Sequence, residues 1–360
     1  MIYKIQPPPH LSASIRLPAS KSISNRVLIL NALCKNPYPV ENLSDSDDTN
    51  VLLKALQSPG RDLDVGAAGT SMRFLTAYLS QQSGVRTITG TERMKNRPIR
   101  VLVNALRELG AEISYLEKED FPPLLIHGKT LPGGSVSMSG EVSSQYISAL
   151  MMIAPALKEG LTLHLEGPVV SKPYIQMTIR LMEAFGIQTT WRGQTIQIRP
   201  QACVATPFAV ESDWSAASYW YEIMALAGRN ASVNLSGLEE NSVQGDARGQ
   251  HLFAALGLQT RFTEKGAEIS RLAMADSALS AFRPCDFSDE PDLAQTFVVT
   301  CCLLNIPFRF SGLQSLRIKE TDRISALQTE MKKLGYPLKT DAGSMEWNGE
   351  RCRPEENPVI

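Results

Sequence analysis

Four helix-ending dipeptides, evenly spread along the chain, constrain its fold more than any other feature. Leu109-Gly110, Phe185-Gly186, Leu256-Gly257 and Leu334-Gly335 each close an apolar-periodic run and precede a polar/apolar alternation. By subtraction the glycines lie 76, 71 and 78 residues apart. A glycine just past a helix takes the left-handed conformation that stops it, and alternation is the period of a strand. Eleven to thirteen residues before each glycine stands a polar residue at a predicted helix start: Arg97, Tyr174, Asp246 and Arg323. Helix starts leave backbone N–H groups unpaired and carry partial positive charge. A repeat that gathers several of them builds a site for anions.

Each of these helices has a partner before it, and one further pair stands nearer the N-terminus. Ser20 is placed to cap a helix from Lys21 to about Cys34, and Thr70 or Ser71 one ending near Gly84. Ser143 precedes a run to about Lys158, Asp213 a run to about Gly228, and Pro291 suits the first turn of a helix reaching about Leu304. The second helices are expected near 48–57, 98–109, 174–185, 246–256 and 322–334. Strand-like runs fall between them at Val85–Thr89, Ser135–Met138, Leu161–Leu165, Thr195–Ile198, Ala231–Leu235, Glu268–Ser270 and Phe308–Phe310. The unit is strand–helix–strand–helix–strand–strand, about 70–75 residues long, too small to bury its own apolar face. Residues 20–211 hold three helix pairs and residues 212–360 hold two, so the last unit of the second set reads as incomplete.

A chain of 360 residues exceeds one ordinary core and predicts two domains. Its net charge of −1 argues against nucleic acid or a membrane surface as a partner. The six cysteines (34, 203, 285, 301, 302 and 352) form no CxxC pair and read as reduced thiols of a cytoplasmic protein. No metal site is expected, because the four histidines are scattered. The N-terminus has no apolar signal core, and the greasiest stretches, 145–157 and 294–308, are too short to span a bilayer.

Several polar segments sit at the predicted helix starts. Lys21-Ser22-Ile23-Ser24-Asn25-Arg26 is, taken alone, a solvated helix start; read as a site it is an anion clamp, with Arg as a bidentate fork and Lys as a point charge. Gly66-Ala67-Ala68-Gly69-Thr70-Ser71-Met72-Arg73 reads either as a tight turn or as a loop whose N–H groups approach a phosphate. It matches neither the P-loop nor the GxGxxG pattern. Arg93-Met94-Lys95-Asn96-Arg97-Pro98 puts three cations ahead of a proline-started helix. Ser143-Ser144-Gln145 and Ser171-Lys172-Pro173-Tyr174 are good cap sequences that also suit a phosphate. Asp286, Asp289, Glu290 and Asp292 crowd one helix start, where the dipole favours them. Lys319-Glu320-Thr321-Asp322-Arg323 alternates in sign between a strand and a helix: a salt-bridged start, or a carboxylate poised for proton transfer.

Together these segments, in this order, resemble the enolpyruvyl transferases that make 5-enolpyruvylshikimate 3-phosphate. The likeness rests on KSISNR, GAAGTSMR, RMKNRPI, VSSQ, SKPYI, QGD, the aspartate of EPDLAQT, and IKETDR, and runs from about residue 5 to about 340. The resemblance implies an α/β fold: two domains of repeated βαβαββ units, the inside-out barrel of that family. One domain is discontinuous (1–19 and 212–360), the other inserted (20–211), with substrate in the cleft between them. It implies transfer of the enolpyruvyl group of phosphoenolpyruvate to the 5-hydroxyl of shikimate 3-phosphate, with release of phosphate. No metal or organic cofactor takes part, and a cytoplasmic monomer is expected.

Carried over motif by motif, Ser22 and Arg26 hold the shikimate carboxylate. Ser143, Ser144, Ser171, Ser315 and Lys319 hold its phosphate, and Tyr174 lines the ring. Lys21 lies between the substrates, and Gly69, Arg97, Gln145 and Arg323 bind phosphoenolpyruvate. Asp292 accepts the 5-hydroxyl proton, Glu320 handles the proton at the methylene carbon, and Lys21 assists. The chain departs from the family pattern at Ala67 (usually Asn), Phe74 (usually Pro) and Ser315 (often Asn). It also lacks the family's Asp-His-Arg-Met segment and a later lysine. Two alternatives therefore stand beside the enzyme. One is a truncated chain that binds shikimate 3-phosphate with impaired turnover. The other is a UDP-N-acetylglucosamine enolpyruvyl transferase, disfavoured by KSISNR, SKPY and the lack of any cysteine between 34 and 203.

Overall fold

All four helix-ending glycines take positive φ: 95° at Gly110, 74° at Gly186, 83° at Gly257 and 90° at Gly335. Each ends its helix as the repeat requires. The computed structural model describes residues 10–228, 231–272, 282, 284–319 and 321–360. Glu320, a candidate proton-transfer residue, lies outside the described residues.

In chain order the elements begin with β1 (Ser12–Arg16), α1 (Lys21–Leu33), β2 (Val40–Glu41), α2 (Asp47–Gln57), β3 (Asp62–Asp64), α3 (Gly69–Ser80) and β4 (Gly84–Thr89). Then follow α4 (Glu92–Lys95), α5 (Arg100–Glu108), β5 (Glu112–Tyr115), β6 (Leu124–Gly128), β7 (Gly134–Ser139), α6 (Ser144–Ile153), β8 (Leu161–Glu166) and α7 (Lys172–Ala184). Next are β9 (Thr190–Arg192), β10 (Thr195–Ile198), β11 (Phe208–Ala209), α8 (Trp214–Leu226), β12 (Ser232–Ser236), α9 (Gly249–Ala254), β13 (Leu258–Thr263) and β14 (Gly266–Arg271). The remainder are β15 (Cys285–Asp286), α10 (Ala294–Leu303), β16 (Phe308–Ser311), α11 (Arg323–Lys333), β17 (Lys339–Thr340) and β18 (Met345–Trp347).

The chain separates into two compact units, Met1–Pro18 with Glu211–Ile360, and Ala19–Val210. We call them the discontinuous and the inserted unit. The inserted unit contains two sheets of one design, β3-β4-β6-β5 and β7-β8-β10-β9. In each the first pair is parallel and the rest antiparallel. Parallel neighbours need a crossover, which α3 and α6 supply. A third, shorter member joins the ends of the unit: β11 pairs β2 in parallel, Phe208 opposite Val40 and Ala209 opposite Glu41. With α1 and α2 it completes three helix pairs in this unit.

The discontinuous unit repeats the design in β1-β12-β14-β13 and β15-β16-β18-β17. β1 pairs in parallel with β12, from Ser12 opposite Ser232 to Arg16 opposite Ser236. One βαβαββ repeat is thus interrupted after its first strand by the whole inserted unit and resumes at α8. Its core is aromatic: Trp214, Tyr221, Phe253, Phe297 and Phe310 are buried, with the Phe253 and Phe297 rings 4.3 Å apart.

Two expectations need correction. Neither Thr70 nor Ser71 caps α3. The helix starts at Gly69, two residues before a Thr70 cap would start it, after Ala68, which offers no side-chain cap. Asp48 on α2 supplies one instead, its Oδ1 accepting from Ser71 N at 3.0 Å and Ser71 Oγ at 2.9 Å. Nor are all six cysteines thiols: Cys34 and Cys203, with Cα atoms 5.5 Å apart, form a disulfide. A sequence separation of 169 hid the pair, because only the return of β11 to β2 brings them together.

Candidate active site

Within the inserted unit, helices α1, α3, α6 and α7 pack against one another, and their starts carry most of the predicted ligands. Arg26, one turn into α1, ties three of them together. Its Nε donates to Thr178 Oγ1 on α7 at 2.8 Å, Nη2 to Ser148 Oγ on α6 at 3.2 Å, and Nη1 to Ser22 O at 2.9 Å. The side chain is 2% exposed, and burial pushes the guanidinium down to about 10. A guanidinium has five N–H donors, so two remain after these three contacts. Lys21 and Ser22 occupy the first two positions of α1, whose cap is Ser20, its Oγ accepting from Ile23 N at 3.4 Å.

The serines at the other starts differ in their duties. Ser143 Oγ accepts from Gln145 N at 3.4 Å, a cap that uses its lone pair and leaves the hydroxyl able to donate to an anion, and Ser144 is the buried first residue of α6. Ser171 is in the left-handed region, φ 54°, and makes no side-chain cap bond to α7. Strained non-glycine residues of this kind cluster at ligand sites. Tyr174 lies in the first turn of the same helix.

Around the start of α3 the packing is close. A Cβ built on Gly69 would lie 2.6 Å from Arg97 Nη1 and 2.8 Å from Arg73 Nη1, so glycine lets both guanidinium heads lie against this backbone, and a methyl there would make them shift. Arg73 donates to Gly69 O at 2.7 Å and lies over the Tyr146 ring at 5.5 Å. Tyr146 Oη donates to Pro98 O at 2.6 Å, which fixes the chain beside Arg97. Gln145 Nε2 donates to Thr70 Oγ1 at 3.2 Å, joining the starts of α6 and α3. Two of the three cations of residues 93–97 part ways. Lys95 is a surface partner of Glu117 at 2.9 Å, while Arg97 turns in on Gly69.

In the discontinuous unit the centre is Asp292, in the turn that leads into α10. Its Oδ1 lies 3.2 Å from Lys319 Nζ and 2.9 Å from Arg323 Nη1, with all three side chains about three-quarters buried. Arg323 also reaches Gln295 Oε1 at 3.4 Å, and Gln295 Nε2 donates to Tyr219 Oη at 2.6 Å. Asp322 caps α11 by accepting from Ser325 N at 3.0 Å. That bond, first among its causes, holds its carboxyl below the usual range. Arg317 Nη1 bonds the same carboxylate at 3.2 Å, anchoring the turn that carries Ser315 and Lys319. The neighbouring acids do other work. Glu290 is buried on Arg248 at 2.7 Å, and Asp286 accepts from Ser288 N at 3.0 Å.

Sequence reasoning missed Asp48, Arg73, Tyr146, Gln295 and Tyr219. Arg73 and Gln295 stand inside the motifs GAAGTSMR and EPDLAQT, but neither motif told what they do; each of the five acts on a residue at another place in the chain. Among the described residues no group of three or more His, Cys, Asp or Glu could hold a metal ion, and no helix is long and apolar enough to cross a membrane.

Known proteins give this arrangement a context. The family model described as EPSP synthase (3-phosphoshikimate 1-carboxyvinyltransferase) matches residues 5–62 and 57–356. A 3-phosphoshikimate 1-carboxyvinyltransferase of Bacteroides fragilis is 56% identical over 362 residues, covering 100% of this chain and 87% of that one. One from Bordetella parapertussis is 37% identical, covering 92% of this chain and 82% of its own. In fold, the chain is similar to EPSP synthase from Acinetobacter baumannii, with TM-score 0.71 at 20% identity over 96% of this chain and 84% of that one.

Proposed function

The chain belongs to the EPSP synthase family, the 3-phosphoshikimate 1-carboxyvinyltransferases, and we propose how its own residues divide that family's reaction. It is a transferase of the shikimate pathway. Identity along the whole chain favours neither the impaired binder nor the UDP-sugar enzyme. The substrates are shikimate 3-phosphate and phosphoenolpyruvate, both anions, which gives the many cationic helix starts a purpose.

In this reading the inserted unit supplies most of the binding. Ser22 and the two spare donors of Arg26 take the shikimate carboxylate; Ser143, Ser144 and Ser171 take its phosphate, with Tyr174 against the ring. Gly69 N–H, Arg97 and Gln145 take phosphoenolpyruvate, with Lys21 alongside. The discontinuous unit supplies Lys319 and Ser315 for the shikimate phosphate and Arg323 for phosphoenolpyruvate. Asp292 is the base.

The observation that carries this reading is the double ion pair on Asp292. Without substrate, the carboxylate is the counter-ion of both cations. Anionic substrates compete for Lys319 and Arg323 and release Asp292 to accept a proton. The shikimate 5-hydroxyl then loses its proton to Asp292 as its oxygen bonds carbon 2 of phosphoenolpyruvate. Carbon 3 takes a proton, a step given to Glu320 with Lys21 assisting. The tetrahedral adduct expels phosphate as the new methyl group gives a proton back, and the enol ether remains. Cations placed where charge develops lower such barriers.

We read the protein as a cytoplasmic monomer, which sedimentation would test. The acceptor assignment is tested by titration calorimetry. Shikimate 3-phosphate should bind wild type, and Ser171→Ala should weaken that binding roughly tenfold, about the worth of one hydrogen bond to a charged group. UDP-N-acetylglucosamine should give no heat. Binding of the UDP-sugar instead would overturn the assignment.

A further inference from the structure

Cys34 and Cys203 lie outside every site described above, yet a cavity opens beside them. Its volume is about 270 Å³, and its walls include both cysteines with Lys35, Met152, Pro155 and Ala156. Both cysteines are half-buried, not sealed in the core, and Ala202 and Val204 on either side of Cys203 are exposed. By contrast Cys285, Cys301 and Cys302 are buried. Burial pushes the Cys301 and Cys302 thiols up, Cys302 to about 12.

The disulfide is also the outer end of a longer seam. Cys34 is the C-cap of α1. Beyond it, Asn36 Nδ2 donates to Thr206 O at 2.7 Å, β2 pairs β11, and Asn42 Nδ2 donates to Val210 O at 2.6 Å. These contacts already hold the two ends of the inserted unit together. The disulfide is therefore one of several ties at this seam, not the single one.

We propose that Cys34–Cys203 is an exchangeable disulfide, a modification site for a low-molecular-weight thiol or dithiol that enters this cavity. The incoming thiolate attacks Cys203 Sγ, the S–S bond breaks, and its electron pair leaves on Cys34 Sγ, which takes a proton beside the Lys35 cation. A mixed disulfide on Cys203 results. A second thiol attacks it, forms the oxidised reagent, and leaves Cys203 as a thiol. Two electrons and two protons pass from reagent to protein, as thiol–disulfide exchange requires.

The test uses the whole protein purified without reductant. Dithiothreitol is added under native conditions, and thiols are alkylated at intervals and located by peptide mass. The expected result is new labelling at Cys34 and Cys203 within minutes, none at Cys285, Cys301 or Cys302, and a melting temperature lower by about 5 °C or more. Cys34→Ser should abolish the reagent's effect on melting. Ala156→Trp, which fills the cavity mouth, should keep the disulfide and slow its native reduction about tenfold or more, the size of a modest steric barrier. Free thiols at both positions before reductant, reduction only after unfolding, or an unchanged rate in Ala156→Trp would each overturn the proposal. None of these readouts depends on the enzyme's activity.

Discussion

Asp292 faces two cations at 3.2 and 2.9 Å, and Gly69 faces two guanidinium groups that a single methyl would touch. These two residues make opposite predictions. Asp292→Asn keeps the volume and removes the proton acceptor, so kcat should fall about 10²–10⁴-fold, the usual range for a general base. It leaves Lys319 and Arg323 without that counter-ion, so shikimate 3-phosphate should bind as well as before or better. Wild-type kcat in this variant would remove Asp292 from the mechanism. Gly69→Ala should act on the other substrate. The new Cβ displaces the heads of Arg97 and Arg73, and KM for phosphoenolpyruvate should rise about tenfold or more, about the worth of one charge-assisted contact. Affinity for shikimate 3-phosphate should stay within about twofold, since its contacts lie on other helix starts. Equal losses for both substrates would point to general damage instead. At this scale the sequence spoke clearly where a residue heads a helix, as Lys21, Ser171 and Arg323 do. It was silent on Tyr146, Gln295 and Tyr219, whose roles come from contacts 48, 28 and 76 residues away along the chain.

Helices of this chain are capped by two different means, and stability should report the difference. α1, α6, α8 and α11 carry their own side-chain caps at Ser20, Ser143, Asp213 and Asp322. α3 does not, and relies on Asp48 from α2. Asp48→Ala should therefore cost about 1 kcal/mol, seen as a melting temperature lower by about 2–4 °C. No change would mean that Ser71 N–H finds another partner. Serine or threonine before an apolar run is the standard start signal, which is why Thr70 and Ser71 misled while the other four starts were legible. α8 carries a second consequence. Burial raises the Glu222 carboxyl to about 7. Its folded pKa lies above its unfolded value, so it costs nothing below about pH 4.5 and destabilises increasingly as pH rises through 7. With allowance for the part that solvent screens, the penalty at pH 8 is about 2 kcal/mol. Glu222→Gln should thus melt higher than wild type at pH 8 and about equally at pH 4.5. A gain of equal size at both pH values would rule out titration as its cause.

For the whole molecule, the repeat was legible because its punctuation is chemical. A positive-φ glycine follows four of the five second helices, and glycine is favoured wherever that conformation is needed. Strand pairing was less legible. Nothing in β1 alone says that it pairs with β12 more than two hundred residues later, with Ser12 opposite Ser232. The same distance effect concealed the disulfide. The family could be named from motifs because each motif heads a helix in an anion-binding repeat, and its fold and reaction follow together. The sharpest test of the account is direct turnover. Purified protein is mixed with shikimate 3-phosphate and phosphoenolpyruvate, and phosphate and the enolpyruvyl product are measured together. The account predicts equal amounts of both, dependent on both substrates and lost in Asp292→Asn. Tight binding of shikimate 3-phosphate with no product from the wild-type chain would contradict it.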